Sequence, residues 1–206
     1  MHLLEHITQR GERSWSWFKD RAHSKHAQVW LAVLSFFEPI ISPIIPETLL
    51  AAMLLAGSDD AKWKKYAALS TAFSFAGGLV GYGMGVLIFK YFGEAMLAYF
   101  GLGDIQNYTQ LLFGSGIFMV MFFVTFTPLP DKAFTILSGF FGMPFVPYAI
   151  GYLGGRGLRF TLVAYLTHRM GPRILDVLNR YFFWVAVVLL VVGIIYGMVR
   201  FNVLGL

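Results

Sequence analysis

The chain has 206 residues, of which 57% are hydrophobic, 17% aromatic and only 13% charged, with a mean hydropathy of +0.65. That balance excludes an ordinary soluble domain and predicts an all-α integral membrane protein, too short to carry a separate soluble enzyme domain as well. The formal charge of +5 comes from 16 Lys and Arg against 11 Asp and Glu and is read as setting orientation, not as binding nucleic acid; with no cysteine, thiol chemistry and disulfides are excluded.

Residues 1–28 are polar and basic, with Arg10, Arg13, Lys19, Arg21 and Lys25, and carry Trp15, Phe18 and Ala22 at helical spacing. They read as an amphipathic segment on the cytoplasmic face or as a tail, without the basic-apolar-small pattern of a signal peptide. From residue 29 two apolar stretches are each broken by prolines beside charge. The first, 29–57, is interrupted at Glu38, Pro39, Pro43, Pro46 and Glu47, and the second, 111–142, at Thr125, Pro128, Pro130, Asp131 and Lys132. The arms of the first measure roughly 14 and 15 Å as helix, half of a hydrocarbon core about 30 Å thick. Residues 66–92, 147–166 and 181–200 have the length of full crossings.

Basic residues decide how these pieces thread. Five precede residue 29, Lys62, Lys64 and Lys65 precede the first crossing, and Arg169, Arg173 and Arg180 follow the second, whereas 93–110 carries only Glu94 and Asp104. Placing the basic segments on one face makes 29–57 and 111–142 re-entrant hairpins dipping from opposite sides, with about three full transmembrane helices around them. The two halves also resemble each other. Pro46-Glu47 and Pro130-Asp131 are offset by 84 residues, Tyr66-Ala67 and Tyr148-Ala149 by 82, and a glycine-rich run follows each Tyr-Ala pair. An inverted-topology repeat predicts that pattern.

An ionised carboxylate at membrane depth costs several kcal/mol, so Glu38 and Glu47 must be neutral, paired or wet. Proton or substrate binding is the functional reading; capping of the freed N–H groups is the structural one, above all for Glu47 before Thr48. Asp131 and Lys132 form either a local ion pair or partners across the repeat. Arg156, among glycines, is the stronger candidate for a countercharge or a phosphate ligand; snorkelling to the cytoplasmic face is the favoured reading of Arg159, which stays with Asp131 and Thr125 among the candidate substrate- or proton-binding residues. Thr125 and Thr127 are expected to bond back to their own helix. The G-x-x-x-G spacings of Gly77, Gly81 and Gly85 read as helix packing, and Gly151 to Gly157 lacks the lysine and strand of a phosphate loop. No clustered ligand set suggests a metal or another cofactor.

The segments Phe36-Phe37-Glu38, Pro46-Glu47-Thr48-Leu49-Leu50, Phe126 to Lys132 through Ser138-Gly139, and Gly155-Arg156-Gly157-Leu158-Arg159-Phe160 resemble the DedA family, also called the SNARE-associated Golgi protein or VTT-domain family. The similarity is nearest to its short YqaA-like bacterial subgroup and covers about residues 29–170. The resemblance implies two re-entrant hairpins in an inverted repeat and movement of lipids such as undecaprenyl phosphate or phospholipids, in some members with dependence on the proton gradient. The family's two embedded acids fall on Glu38 and Glu47; its paired arginines fall on Thr125 and, shifted by one, Lys132, so one is absent and the other is a lysine.

The leading expectation is therefore a non-enzymatic lipid transporter or flippase of the bacterial inner membrane, N-terminus cytoplasmic. In it Glu38 and Glu47 line a cavity and take protons, while Lys132 and Arg156 bind an anionic phosphate headgroup. A proton or ion antiporter is the alternative. An intramembrane lipid phosphatase is least favoured, since no nucleophile can be identified. Assembly as a homo-oligomer is left open.

Overall fold

A computed structural model of the chain describes residues 26–41, 46–56, 62–99, 116–127 and 131–171. Every regular element among them is helical: α1 Ala27–Phe37, α2 Pro46–Ala56, α3 Lys62–Ile88, α4 Glu94–Tyr99, α5 Ile117–Phe126, α6 Asp131–Phe140 and α7 Phe145–Met170. A π-helical turn, Phe89–Gly93, joins α3 to α4. The segment expected to lie on the membrane surface, up to residue 25, and the expected crossing 181–200 fall outside the described residues, as do Pro43, Pro128 and Pro130.

Proline chemistry sets the breaks. Helix α1 closes with the Glu38 N–H on the Leu34 carbonyl at 2.9 Å. Pro39 then offers no N–H to continue the ladder. Pro46 sits in the first turn of α2, where a missing N–H costs nothing. At the end of α5, Thr127 is extended at φ −84° and ψ 161°, the conformation that a following proline imposes. Helix α6 ends differently, with Met143 N–H on Ser138 O at 2.9 Å, Gly142 N–H on Gly139 O at 3.1 Å, and Gly142 at φ 63°. That is a Schellman cap, which needs a residue free to adopt positive φ.

The long helices α3 and α7 run antiparallel. Trp63 at the start of α3 meets Tyr165 near the end of α7 at 5.6 Å between ring centroids, and the Tyr148 hydroxyl in α7 donates to Gly78 O at 2.8 Å. The hairpin α1–α2 covers one half of this pair: Leu31, Leu34, Leu49, Leu50 and Met53 form a core with Tyr66 and Ala67 of α3 and Phe160, Val163 and Ala164 of α7. The hairpin α5–α6 covers the other half, where Ile117 and Met121 pack with Tyr148 and Tyr152. Each first arm lies along its own half's long helix, α1 on α3 and α5 on α7, and each second arm lies against the other half's, α2 on α7 and α6 on α3. The two hairpins therefore enter from opposite ends and meet in the middle. Within the described residues the arms of the second hairpin have ten residues each.

Close approach explains the glycines of α3. A Cβ on Gly77 would overlap the Phe36 carbonyl, and one on Gly85 would overlap the Ile136 carbonyl and the Phe140 amide, whereas one on Gly83 would meet nothing. Two variants two residues apart should thus move in opposite directions. Gly83→Ala is expected to stabilise by up to about 1 kcal/mol through helix propensity, and Gly85→Ala to destabilise by about 1–3 kcal/mol through overpacking against backbone. Thermal unfolding of the purified variants measures both.

Polarity is distributed inside out. Val29, Val33, Phe37, Val80, Leu87, Met119, Phe123, Ile150, Leu158 and Leu162 are exposed, while Glu38, Glu47, Asp131, Arg156 and Arg159 are buried. Among the described residues one helix, Lys62–Gly93, is long and apolar enough to cross a membrane. Of the three expected crossings, the first meets that test. The second corresponds to α7, which has 26 residues but carries Arg156 and Arg159 along its middle and is not in that class.

A buried charge cluster as the candidate functional site

Arg156 and Arg159 stand three residues apart on α7 and so project from one face. The hairpin breaks deliver groups of opposite charge to that face from both sides. Arg156 is fully buried; its Nη1 donates to Glu38 Oε2 at 2.5 Å, and its Nη2 donates to Asp131 Oδ2. The rings of Tyr152 and Phe160 flank the guanidinium, 5.8 and 5.9 Å from its central carbon. One turn along, Arg159 Nε lies 2.7 Å from Glu47 Oε1, and its Nη1 donates to the Thr127 carbonyl at 3.0 Å. The Arg159–Glu47 contact is an ion pair by distance, but its angle falls short of a hydrogen bond, so neither Glu47 oxygen accepts one.

Each guanidinium therefore bridges both hairpins. Arg156 joins the end of α1 to the start of α6, and Arg159 joins the start of α2 to the end of α5. The asymmetry lies in the charges, because three carboxylates face two guanidiniums. Planar, five-donor guanidinium suits such bridging, since separate nitrogens can serve separate elements.

Several expectations change. Arg159 does not snorkel: it is buried and paired, and the spacing of three from Arg156 was the signal that both turn inward. Arg156 is not an open phosphate ligand, because carboxylates occupy both of its terminal nitrogens. Glu47 is held by an ion pair, not by capping N–H groups. Asp131 pairs with Arg156 of α7, the long helix of its own half, so this bond lies within the second half and not across to the first; Lys132 is half-buried next to it at the start of α6. Thr125 stands apart from the cluster; its hydroxyl donates to Met121 O at 2.7 Å and lies where a Cβ on Gly155 would go. Thr127 bonds back in the same way, to Phe123 O at 2.8 Å. Its carbonyl as an Arg159 acceptor has no sequence signature beyond the extended residue that precedes Pro128.

A groove of about 480 Å³ between α3 and α7 is lined by Trp63, Lys64, Thr71, Leu153 and Thr161, among others, and a smaller cavity of about 140 Å³ lies between α5 and α6 beside Val120 and Phe134. No member of the charge cluster lines either.

Comparison with known proteins places the chain among relatives. A protein of Haemophilus influenzae, described as uncharacterized, is 32% identical over 145 residues, covering 69% of this chain and 74% of the relative. The chain belongs to its family. A second relative of this family, from Histophilus somni, is 28% identical over 156 residues, covering 74% of this chain and 78% of its own. A third, from Methanocaldococcus jannaschii, is 32% identical over 131 residues, covering 64% and 78%. Both are likewise described as uncharacterized. No family model matches the chain, and no solved structure matches it.

Proposed function

We propose that this protein is a membrane-embedded transporter of lipids bearing an anionic phosphate headgroup, coupled to protons through Glu38, Glu47 and Asp131. The observation that carries the reading is the pair of guanidiniums, each tied to hairpins that arrive from opposite ends, inside a helical body whose outer face is apolar. Such a body suits lipid as its solvent, where buried ionisable groups mark a pathway, and the resemblance to the DedA family points the same way. On this reading the hairpins are re-entrant, the basic ends face the cytoplasm of a bacterial cell, and the protein lies in the inner membrane.

The coupling follows from competition. With Glu38 and Asp131 ionised, carboxylates hold both terminal nitrogens of Arg156, and a phosphate must compete with them for the guanidinium. A proton on either carboxyl removes its charge, weakens its hold on Arg156 and leaves the guanidinium for a phosphate oxygen. Because each arginine also ties one hairpin to the other, releasing it loosens the contact between the halves, which is the motion alternating access requires. Lys132, beside Asp131, would add positive charge at the same junction.

The test is transport in sealed vesicles containing the purified protein and a fluorescent phospholipid or polyprenyl phosphate, with and without a pH gradient. Lipid exposure should increase with the gradient, and Glu38→Gln should remove that dependence. A folded protein that moves no lipid under either condition refutes the reading. The excess of carboxylates over guanidiniums favours one second reading, a proton or ion antiporter; cation-dependent proton flux without lipid movement would select it.

A further inference from the structure

Five buried polar atoms on α1, α3 and α7 lack a well-formed hydrogen bond: the hydroxyls of Ser35, Ser70, Ser74 and Tyr152, and Arg156 Nε. All five residues are fully buried. They also belong together in space. Ser74 lies three residues before Gly77, which abuts the end of α1, and four before Gly78, which abuts the Tyr152 ring, so it shares the α3 face that touches both helices. Ser74 lies beside the Tyr152 phenol, close enough to interact with it, and that phenol is within electrostatic reach of Arg156, Asp131 and Glu38. Ser70 stands one turn nearer the Lys62 end of α3 than Ser74, and Ser35 one turn before Glu38 on α1, which packs along α3. Leaving one such group bare costs about 1–3 kcal/mol, and natural interiors satisfy nearly all of theirs.

We propose that this junction of α1, α3 and α7 holds bound water, and that the waters form the path by which protons from the Lys62 end of α3 reach Glu38. The chemistry favours water over the alternatives. Arg156 Nε offers only a hydrogen and needs an acceptor, which disfavours a metal cation beside it, whereas hydroxyls both give and accept, as a water file requires. Buried water bonding to two to four otherwise unpaired polar groups is the ordinary occupant of such a site. A proton entering near Ser70 passes from water to water along Ser74 and Tyr152, each oxygen accepting one hydrogen and releasing another, and ends on the Glu38 carboxyl. Charged groups facing that carboxyl are Arg156 and Arg159 from α7, Asp131 from α6 and Glu47 from α2.

This path rests on proton uptake by Glu38 but not on lipid transport, so it is tested on purified protein in detergent. Infrared spectroscopy at acid pH follows the carbonyl stretch of the protonated Glu38 carboxyl, assigned by its loss in Glu38→Gln, and its shift on mixing with deuterium oxide. Ser74→Val, which fills the junction with methyl groups, should slow that exchange at least tenfold, and Tyr152→Phe several-fold. Ser74→Thr, which keeps the hydroxyl, should remain within twofold of the parent. Exchange in Ser74→Val as fast as in the parent overturns the path, as does absence of a protonated Glu38 band. If Ser74→Val does not fold, an experimental structure at a resolution that shows ordered solvent decides the matter: density for water between Ser74, Tyr152 and Arg156 supports the proposal, and a dry junction overturns it. Neither outcome depends on whether lipid moves.

Discussion

Arg156→Met is expected to destabilise the fold by about 3–5 kcal/mol, because removal of one partner strands buried charge whose desolvation is no longer offset. Here two carboxylates are stranded at once, Glu38 at the end of α1 and Asp131 at the start of α6, each buried within an apolar shell. The loss should be repairable. Glu38→Gln and Asp131→Asn added to Arg156→Met leave only the Arg159–Glu47 pair charged, and replacing a whole buried ion triad by neutral groups is often neutral or stabilising. Unfolding of the single and triple variants, followed by circular dichroism, measures this: the triple variant should recover most of the lost stability. It should not recover transport, because the group that takes protons and the group that meets phosphate are both gone. A triple variant as unstable as Arg156→Met would mean that the arginine acts through packing against Tyr152 and Phe160 and not through its charges.

The hairpins were legible from the sequence because their causes are local. Proline at residue 39 ends a hydrogen-bond ladder wherever it occurs, and arms of about ten residues cannot span the length of α3, so both breaks fell where the structure has them. Glu47 and Asp131 each stand in the first turn of a second arm. Pairing was not legible, because it depends on how far each helix slides along its neighbour. Sequence distance gives no hint that Glu38 meets Arg156 while Glu47 meets Arg159. Only the packing of the arms on the long helices, set by glycines that let carbonyls approach, α1 and α6 on α3 and α5 on α7, fixes that register. Arg159 was misread for a related reason: its nearness to the basic end of α7 suggested escape to the surface, but its face on the helix, shared with Arg156, turns it inward. Ser70 and Ser74 drew no notice, since serines four apart on an apolar helix carry no signal until the tyrosine and arginine opposite them are known.

Arg159→Leu should separate the two hairpins more than any other single change at the second bridge. It leaves Glu47 as an unpaired buried carboxylate and the Thr127 carbonyl without its donor, losses that together amount to about 3–5 kcal/mol. Arg159→Lys should recover only part of this, since a single ammonium cannot reproduce the fork that serves Glu47 through Nε and Thr127 through Nη1. Glu47→Gln in the Arg159→Leu background should restore about the share due to the stranded charge. The remaining deficit measures the Thr127 carbonyl, and with it the part of the bridge that is a hydrogen bond and not an ion pair. A double-mutant cycle between Glu47 and Arg159 reads that division directly. Coupling close to zero would show that the 2.7 Å contact, lacking hydrogen-bond geometry, contributes little, and that Arg159 holds the hairpins through the carbonyl alone. Strong coupling would instead make Glu47 the second carboxylate whose protonation loosens the junction. Glu38 and Glu47 would then act on separate arginines that share one helix face, and release of both would be needed to part the halves.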